Sequence, residues 1–129
     1  MSGACEALLG AAVAALEGVA GIGRVYDAPP LQAALPHAVV AIDVESDWSH
    51  KNGTGRELRL TATLHDKGER PLRLRRLASE AEAALAALAG EAGGWRLVAV
   101  QYLRTRMVRE RSGGWAAVIE LRVRMLRAD

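Results

Sequence analysis

A chain of 129 residues, half of them apolar and a quarter charged, is long enough for one domain, spanning 1–129, whose core needs no disulfide or metal staple. Its 17 basic and 15 acidic residues leave a net charge of only +2, which excludes the broad positive field that non-specific nucleic-acid binding uses. Phe is absent and Cys5 is the only cysteine, so the core must be aliphatic and no intrachain disulfide or cysteine-built metal cage can form.

Ser2 to Val19 is expected to be a helix, capped by Ser2, with Leu8, Ala12, Ala15, Leu16 and Val19 recurring at helical spacing. Gly18, Gly21 and Gly23 end it. Its narrow apolar stripe predicts close packing on a sheet, with Cys5 as a small packing residue. Arg24 to Tyr26 is a short extended piece. Asp27-Ala-Pro-Pro30 then halts regular pairing, because Pro29 and Pro30 lack amide donors. Pro36 precedes a strand from His37 to Glu45 in which Val40, Ile42 and Val44 share a face. Ser46 to Gly55 reads as a long polar hairpin loop containing Asn52-Gly53. Arg56 to His65 is the clearest strand, with Leu58, Leu60, Ala62 and Leu64 inward and Glu57, Arg59, Thr61 and Thr63 outward.

A second helix is predicted from Pro71, which suits a first turn, to about Ala89. Leu74, Leu77, Ala81, Ala84, Leu85 and Leu88 form its apolar face. Two long strands, Trp95 to Glu110 and Trp115 to Arg127, then meet at Ser112-Gly-Gly114. A two-residue loop there would turn Arg104 and Arg106 into the core, which is costly. A three-residue loop instead sets Met107, Thr105 and Leu103 beside Ile119, Leu121 and Val123, and leaves Arg104 and Arg106 outside with Arg122 and Glu120. Val98, Val100 and Tyr102 would then face the other side, where a helix or a neighbouring subunit must cover them. The element order predicts an α+β fold: a mainly antiparallel sheet of four to five strands with two helices packed on it.

No catalytic, cofactor or metal site emerges. His37, His50 and His65 have no second His or Cys at metal-ligand spacing, and read as surface or strand-edge residues. No glycine-rich phosphate loop is present: Gly21-Ile-Gly23 leads into a strand rather than a helix. Asp47, Ser49 and His50 contain the residue types of a triad, but a polar loop offers neither rigid support nor an oxyanion hole. Asp43, Glu45 and Asp47 fall on one strand parity and read as a solvated face. The arginine stripe of Arg104, Arg106, Arg109 and Arg111, with Arg122 and Arg124 opposite, lacks interleaved aromatics for base stacking. Its expected partners are Glu110, Glu120 or an acidic neighbouring subunit. Fifteen arginines against two lysines, Lys51 and Lys67, beside abundant Ala and Gly, match the codon bias of a GC-rich genome. Trp48 is a large apolar side chain in a polar loop. It either folds back on its own domain or anchors a protein interface. No basic residue precedes Arg24, so no secretory leader is read, and Ala7 to Leu16 is too short to span a membrane.

The order of several short motifs carries a resemblance. They are Val25-Tyr-Asp27 with Pro30, Pro36-His-Ala-Val39, Asp47-Trp-Ser49, Gly55-Arg-Glu-Leu-Arg-Leu60, the Leu74 to Leu88 helix, and Trp95-Arg-Leu-Val98 before a closing hairpin. Along most of its length the chain resembles the tail-terminator, or tail-completion, proteins of long-tailed phages and gene transfer agents. It departs from them at His37, where an aromatic is usual, and at Leu64-His65, where a Val-Trp-like pair is common. The resemblance implies a structural virion protein with no cofactor and no catalysis. It implies a homo-oligomeric ring of six subunits at the head–tail junction, assembled in the bacterial cytoplasm, with no membrane partner. The tail tube protein and a head-completion or stopper protein are its implied partners, and DNA passes through without sequence-specific binding. Asp47, Trp48, Ser49, His50, Lys51, Arg104, Arg106, Arg122 and Arg124 are the expected interface residues. Tyr26, Asp27, Pro29, Pro30 and Pro36 are the expected structural connector. The rival reading is a small cytoplasmic ligand-binding or regulatory α+β module.

Overall fold

A computed structural model describes residues 3–128. The helix α1 runs Ala4–Glu17, shorter at both ends than the apolar pattern suggests. Gly3 occupies its N-cap without a side-chain bond, and the expected cap Ser2 lies outside the described residues. Gly18 closes the other end: its N–H donates to the Ala15 carbonyl at 3.3 Å and the Val19 N–H to that of Leu16 at 3.0 Å. The strands β1 (Val25–Tyr26), β2 (His37–Asp47) and β3 (Gly55–Asp66) follow. Then come helix α2 (Leu72–Ala86) and strands β4 (Glu91–Ala92), β5 (Trp95–Arg109) and β6 (Trp115–Arg127). Pro71 is the N-cap of α2 rather than its first residue, and the helix stops at Ala86, before the expected Ala89.

The α+β reading holds, but among the described residues the sheet has six strands rather than four to five, in the order β1-β2-β3-β6-β5-β4. It is mixed, because β1 runs parallel to β2 while the other pairs are antiparallel. The additional strand, β4, is two residues long and pairs Ala92 with Trp95, in the glycine-rich stretch after α2. Strands this short carry no periodicity and exist only through the partner they find. For β1 that partner is set by Ala38, whose N–H donates to the Arg24 carbonyl at 2.9 Å.

The core lies on one face. Leu58, Leu60, Ala62 and Leu64 of β3 alternate inward as expected, and so do Ala117, Ile119, Leu121, Val123 and Met125 of β6. Against them pack Leu8, Ala12 and Leu16 of α1 and Leu74, Leu77, Ala81 and Leu85 of α2. Each fully buried aliphatic side chain contributes about 1.5–3 kcal/mol of transfer free energy. Small residues on α1 let it sit close to β2, as its narrow stripe predicts. The opposite face of the sheet carries no helix and stays open.

Three β-bulges revise the register. In β2 the alternation breaks between Ile42 and Val44, so Val44 turns outward opposite Arg59 and is 59% exposed instead of joining Val40 and Ile42. The same bulge takes Asp43 off the face shared by Glu45 and Asp47. At the other end, β5 and β6 are joined by Glu110 to Gly114, longer than the expected three residues, with Arg109 opposite Trp115. The Glu110 N–H donates to Gly114 at 2.9 Å and Gly113, at φ +93°, makes the turn. Thr105 therefore faces Ile119 and Met107 faces Ala117, two residues from the expected register. A shift of two preserves the faces, so Arg104 and Arg106 do lie on the open side with Glu120. Further along, bulges at Leu103 and Val98 reverse the alternation twice. Val100 and Tyr102 consequently lie on the helix side, opposite Val123 and Leu121, where Tyr102 stays 37% exposed. Tyr102, Thr105 and Met107 sit against Arg75, Ala78 and Ser79 of α2.

Candidate functional site

Two side-chain groups on the sheet and one connector hold the residues that the sequence singles out. The first group is the β2–β3 hairpin. Asp47 belongs to β2 and Gly55 to β3, so the connection is 48–54, shorter and tighter than a long flexible loop. The Trp48 N–H donates to Gly55 at 2.9 Å, and His50 and Gly53 exchange backbone bonds of 2.8 and 3.1 Å. Ser49 Oγ donates to Asp47 Oδ1 at 2.6 Å and accepts from the Gly55 N–H at 3.1 Å. That hydroxyl holds the Asp47 carboxyl below the usual carboxylate range. Gly55 has no room for a side chain, since a Cβ there would lie 2.3 Å from the Trp48 carbonyl oxygen. Trp48 folds back, half-buried, with His50 edge-on at 4.4 Å and the Arg124 guanidinium 5.2 Å from the ring centroid. Lys51 is exposed at the tip. Ser49 bonds Asp47 and His50 packs on Trp48, so these three residues brace a turn rather than form a nucleophile–base pair.

The second group is the arginine lattice on the open face. Glu120 is only 8% exposed and gathers three guanidinium groups: Arg104 at 2.5 Å, Arg106 at 3.6 Å and Arg59 at 3.8 Å. The hydrogen bond from Arg104 is the main reason its carboxyl titrates below the ordinary range. Glu57 takes Arg124 at 2.8 Å and Arg122 at 4.0 Å, and Arg122 also donates to Gln101. The expected pairing with Glu120 is present; that with Glu110 is not. Glu110 instead meets His65 Nδ1 at 2.9 Å. Arg109 also leaves the stripe: alternation turns it to the helix side, over Trp115 at 4.9 Å and donating to the Glu69 carbonyl at 3.1 Å.

The connector forms a wall. Tyr26 lies in β1, Pro36 is buried at the start of β2, and the Pro36 carbonyl accepts from the Gly23 N–H at 2.9 Å. Between Asp27, Pro29 and Pro30 and the open face of β2 and β3 runs a groove of about 520 Å³, floored by Val39, Ala41 and Thr63. At its end His37 and His65 are cross-strand partners with rings stacked at 4.9 Å, and Tyr26 is edge-on to His37 at 5.7 Å. Burial, and next the neighbouring His65, push His37 below its ordinary value. Sequence spacing does not reveal this pair, because 28 residues separate the rings and only the β2–β3 register joins them. It also misses Asp66, which is 2% exposed. Arg73 grips both its oxygens at 2.8 and 2.6 Å, and the Lys67 N–H adds a bond of 2.9 Å. The available signal was a carboxylate on the inward parity of β3, two residues after Leu64.

Among the described residues no group of three or more His, Cys, Asp or Glu side chains is placed to hold a metal. No helix is long and apolar enough to cross a membrane. A family model described as tail completion protein gp17 matches residues 5–126. The chain belongs to that family. Membership confirms the resemblance read from the motif order and makes this a structural protein of phage-type tails. The fold is also similar to that of a chain in a solved structure, "Virion of native gene transfer agent (GTA) particle". The two share 23% identity over 97% of this chain and 99% of that one, with a TM-score of 0.78. No curated protein matches.

Proposed function

We propose that this tail-completion family member forms the ring that caps a finished tail tube, ends its elongation and joins the tail to the head side. The observation that carries the proposal is the family match over residues 5–126. Likeness to a chain from a gene transfer agent virion, nearly end to end, supports a place in such a particle. The ring is homo-oligomeric, with six copies, and contacts the tail tube protein on one side and a head-completion or stopper protein on the other. DNA passes through it without base-specific contacts.

Within that ring the braced hairpin, with Asp47, Trp48, Ser49, His50 and Lys51, is the contact to the tail tube, and its rigidity suits a docking element. Arg104, Arg106, Arg122 and Arg124 face protein neighbours rather than nucleic acid. Tyr26, Asp27, Pro29, Pro30 and Pro36 are a rigid connector that fixes the first helix against the sheet. The test is electron microscopy of particles from a producer lacking this gene. Overlong or headless tails are expected. Normal, joined tails would refute the proposal.

A further inference from the structure

The connector from β1 to β2 carries an apolar knob that its own copy leaves uncovered. Leu31 follows Pro29 and Pro30 directly and is completely exposed, and Leu35 is exposed too. Asp27 to Pro30 wall the groove over Val39, Ala41 and Thr63, so the knob stands on the open-face side of the sheet, beside β2. The two prolines fix the backbone ahead of Leu31, so little chain entropy is lost when the knob docks. Asp27 is the only charged residue between Tyr26 and His37, and its carboxylate is exposed and unpaired among the described residues. Asp43 borders the same groove and adds a second negative charge. A shallow socket lies on the other side of the molecule. On the helix face, at the free side of β5, Tyr102 and Met107 meet Ala78 and Ser79 of α2 around a hollow of about 280 Å³. The Tyr102 hydroxyl is tied to that of Thr105 at 2.8 Å, which holds the ring in place with part of it in solvent. Leu72, Arg75, Ser79 and Glu82 recur at helical spacing and form one stripe of α2, of which the last three border the hollow. Leu72 is more than half exposed, and Arg75 is exposed with no ion pair among the described residues.

We infer that Leu31 of one copy seats in the α2–β5 socket of the next, with Asp27 facing Arg75. The contact rests on the ring reading above and gives that ring its heterologous, head-to-tail interface. Knob and socket lie on opposite faces of the sheet and towards opposite ends of the strand order β1-β2-β3-β6-β5-β4, so no copy can fill its own socket and every copy offers one of each. Copies that share one orientation then pack open face to helix face, with the neighbour displaced so that its β5 lies over this copy's β2. Apolar surface meets apolar surface: proline and leucine on one side, Leu72, Tyr102 and Met107 on the other. At the margin the acids that border the groove, Asp27 and Asp43, meet the unpaired guanidinium of Arg75. The 48–54 hairpin lies at the far end of β2 from the knob and stays free for the tail tube.

The test places full-length variants in a producer lacking its own copy and counts joined particles. Leu31→Asp should reduce them to the level of the deletion strain. Asp27→Arg and Arg75→Asp should each lower the count, and the two combined in one chain should restore it. Neither charge has a partner within its own copy, so these variants should melt with the wild type, which separates a lost contact from a lost fold. In a Cys5→Ala background, Leu31→Cys with Ser79→Cys should oxidise in particles to a ladder of covalent oligomers. Leu31→Cys with Gln101→Cys, which lies on the open face of β5, should give none. A benzophenone carried on Leu31→Cys, added as purified protein to tails from the deletion strain, should label a second copy of this chain. Labelling of the tube or of a head-side protein instead would assign the knob to that partner and overturn the contact. Normal joining with Leu31→Asp, or a ladder missing from the Ser79 pair or equal in both pairs, would overturn it as well. Normal tails in the deletion strain would instead remove the tail-completion reading, and the ladder on concentrated purified protein would then decide the knob contact by itself, its absence overturning it.

Discussion

Replacing Asp66 with Asn tests the energetic link between the sheet and α2. Asp66 is almost fully buried at the end of β3 and takes both arms of Arg73, which lies in the first turn of α2. Asparagine keeps the shape and can still accept the Lys67 N–H, but it offers Arg73 one neutral oxygen instead of two charged ones. A hydrogen bond to a charged group is worth about 1.5–3 kcal/mol. Half of the Arg73 side chain is in water, so screening places the loss at the low end, about 1.5 kcal/mol. For a chain of 129 residues that is a fall in Tm of roughly 5–7 °C, read by calorimetry at pH 7. The pH dependence has a definite sign. Hydrogen bonds from Arg73, ahead of the one from Lys67, hold the Asp66 carboxyl below its ordinary 3.8. A depressed folded-state value stabilises above the unfolded one, and that stabilisation is lost as pH falls through the folded value. The gap in Tm between wild type and Asp66→Asn should thus be full at pH 7 and close below about pH 3.8, the unfolded-state value. A gap under about 1 °C at pH 7, or one equally wide at pH 7 and at acid pH, would refute the pairing argument.

Other substitutions probe the hairpin and the core. Gly55→Ala pushes a methyl group into the Trp48 carbonyl and should cost about 1–3 kcal/mol, seen as a lower urea midpoint; an unchanged midpoint would mean that the turn relaxes freely. Leu121→Ala removes a side chain with no exposed surface from the centre of β6 and should cost about 2–5 kcal/mol with an unchanged denaturant slope. Trp48→Ala should cost about 0.5–1 kcal/mol through the lost contact with Arg124, a modest fall in melting, while reducing tail joining in the producer far more. Intact joining with this variant would end the docking role of the hairpin.

How much of this was legible depends on where a strand sits. β3 and β6 are flanked by strands on both sides and by helices on one face, so Leu58 to Leu64 and Ala117 to Met125 alternate without interruption and could be read directly. β5 has a free side along most of its length and tolerates bulges, which is why the faces of Val100 and Tyr102 were misjudged while those of Arg104 and Arg106 were not. β4 depends on a tight turn and leaves no pattern, whereas β1 falls within the short extended piece read at Arg24 to Tyr26 and only its parallel pairing with β2 was illegible. In the candidate site, the residue types of the hairpin were legible but their use was not. Asp47 and Ser49 resemble a catalytic fragment until Gly55 is seen closing the turn beneath them. The groove under Pro29 and Pro30 and the His37–His65 stack depend entirely on the β2–β3 register.

The paired bulges of β5 bear on how such a chain can change length. Leu97, Val100, Tyr102, Thr105 and Met107 reach the helix side at intervals of three, two, three and two residues, a rhythm that neither a plain strand nor a helix produces. Losing one residue at Leu103 alone would rotate everything before it by half a turn and send Trp95 and Leu97 into solvent. Losing a second residue at Val98 would bring Trp95 and Leu97 back, leaving only Val100 and Tyr102 reversed. Insertions and deletions in this strand are thus tolerable chiefly in compensated pairs. Relatives whose β5 differs by a single residue should show a matching change at the other bulge.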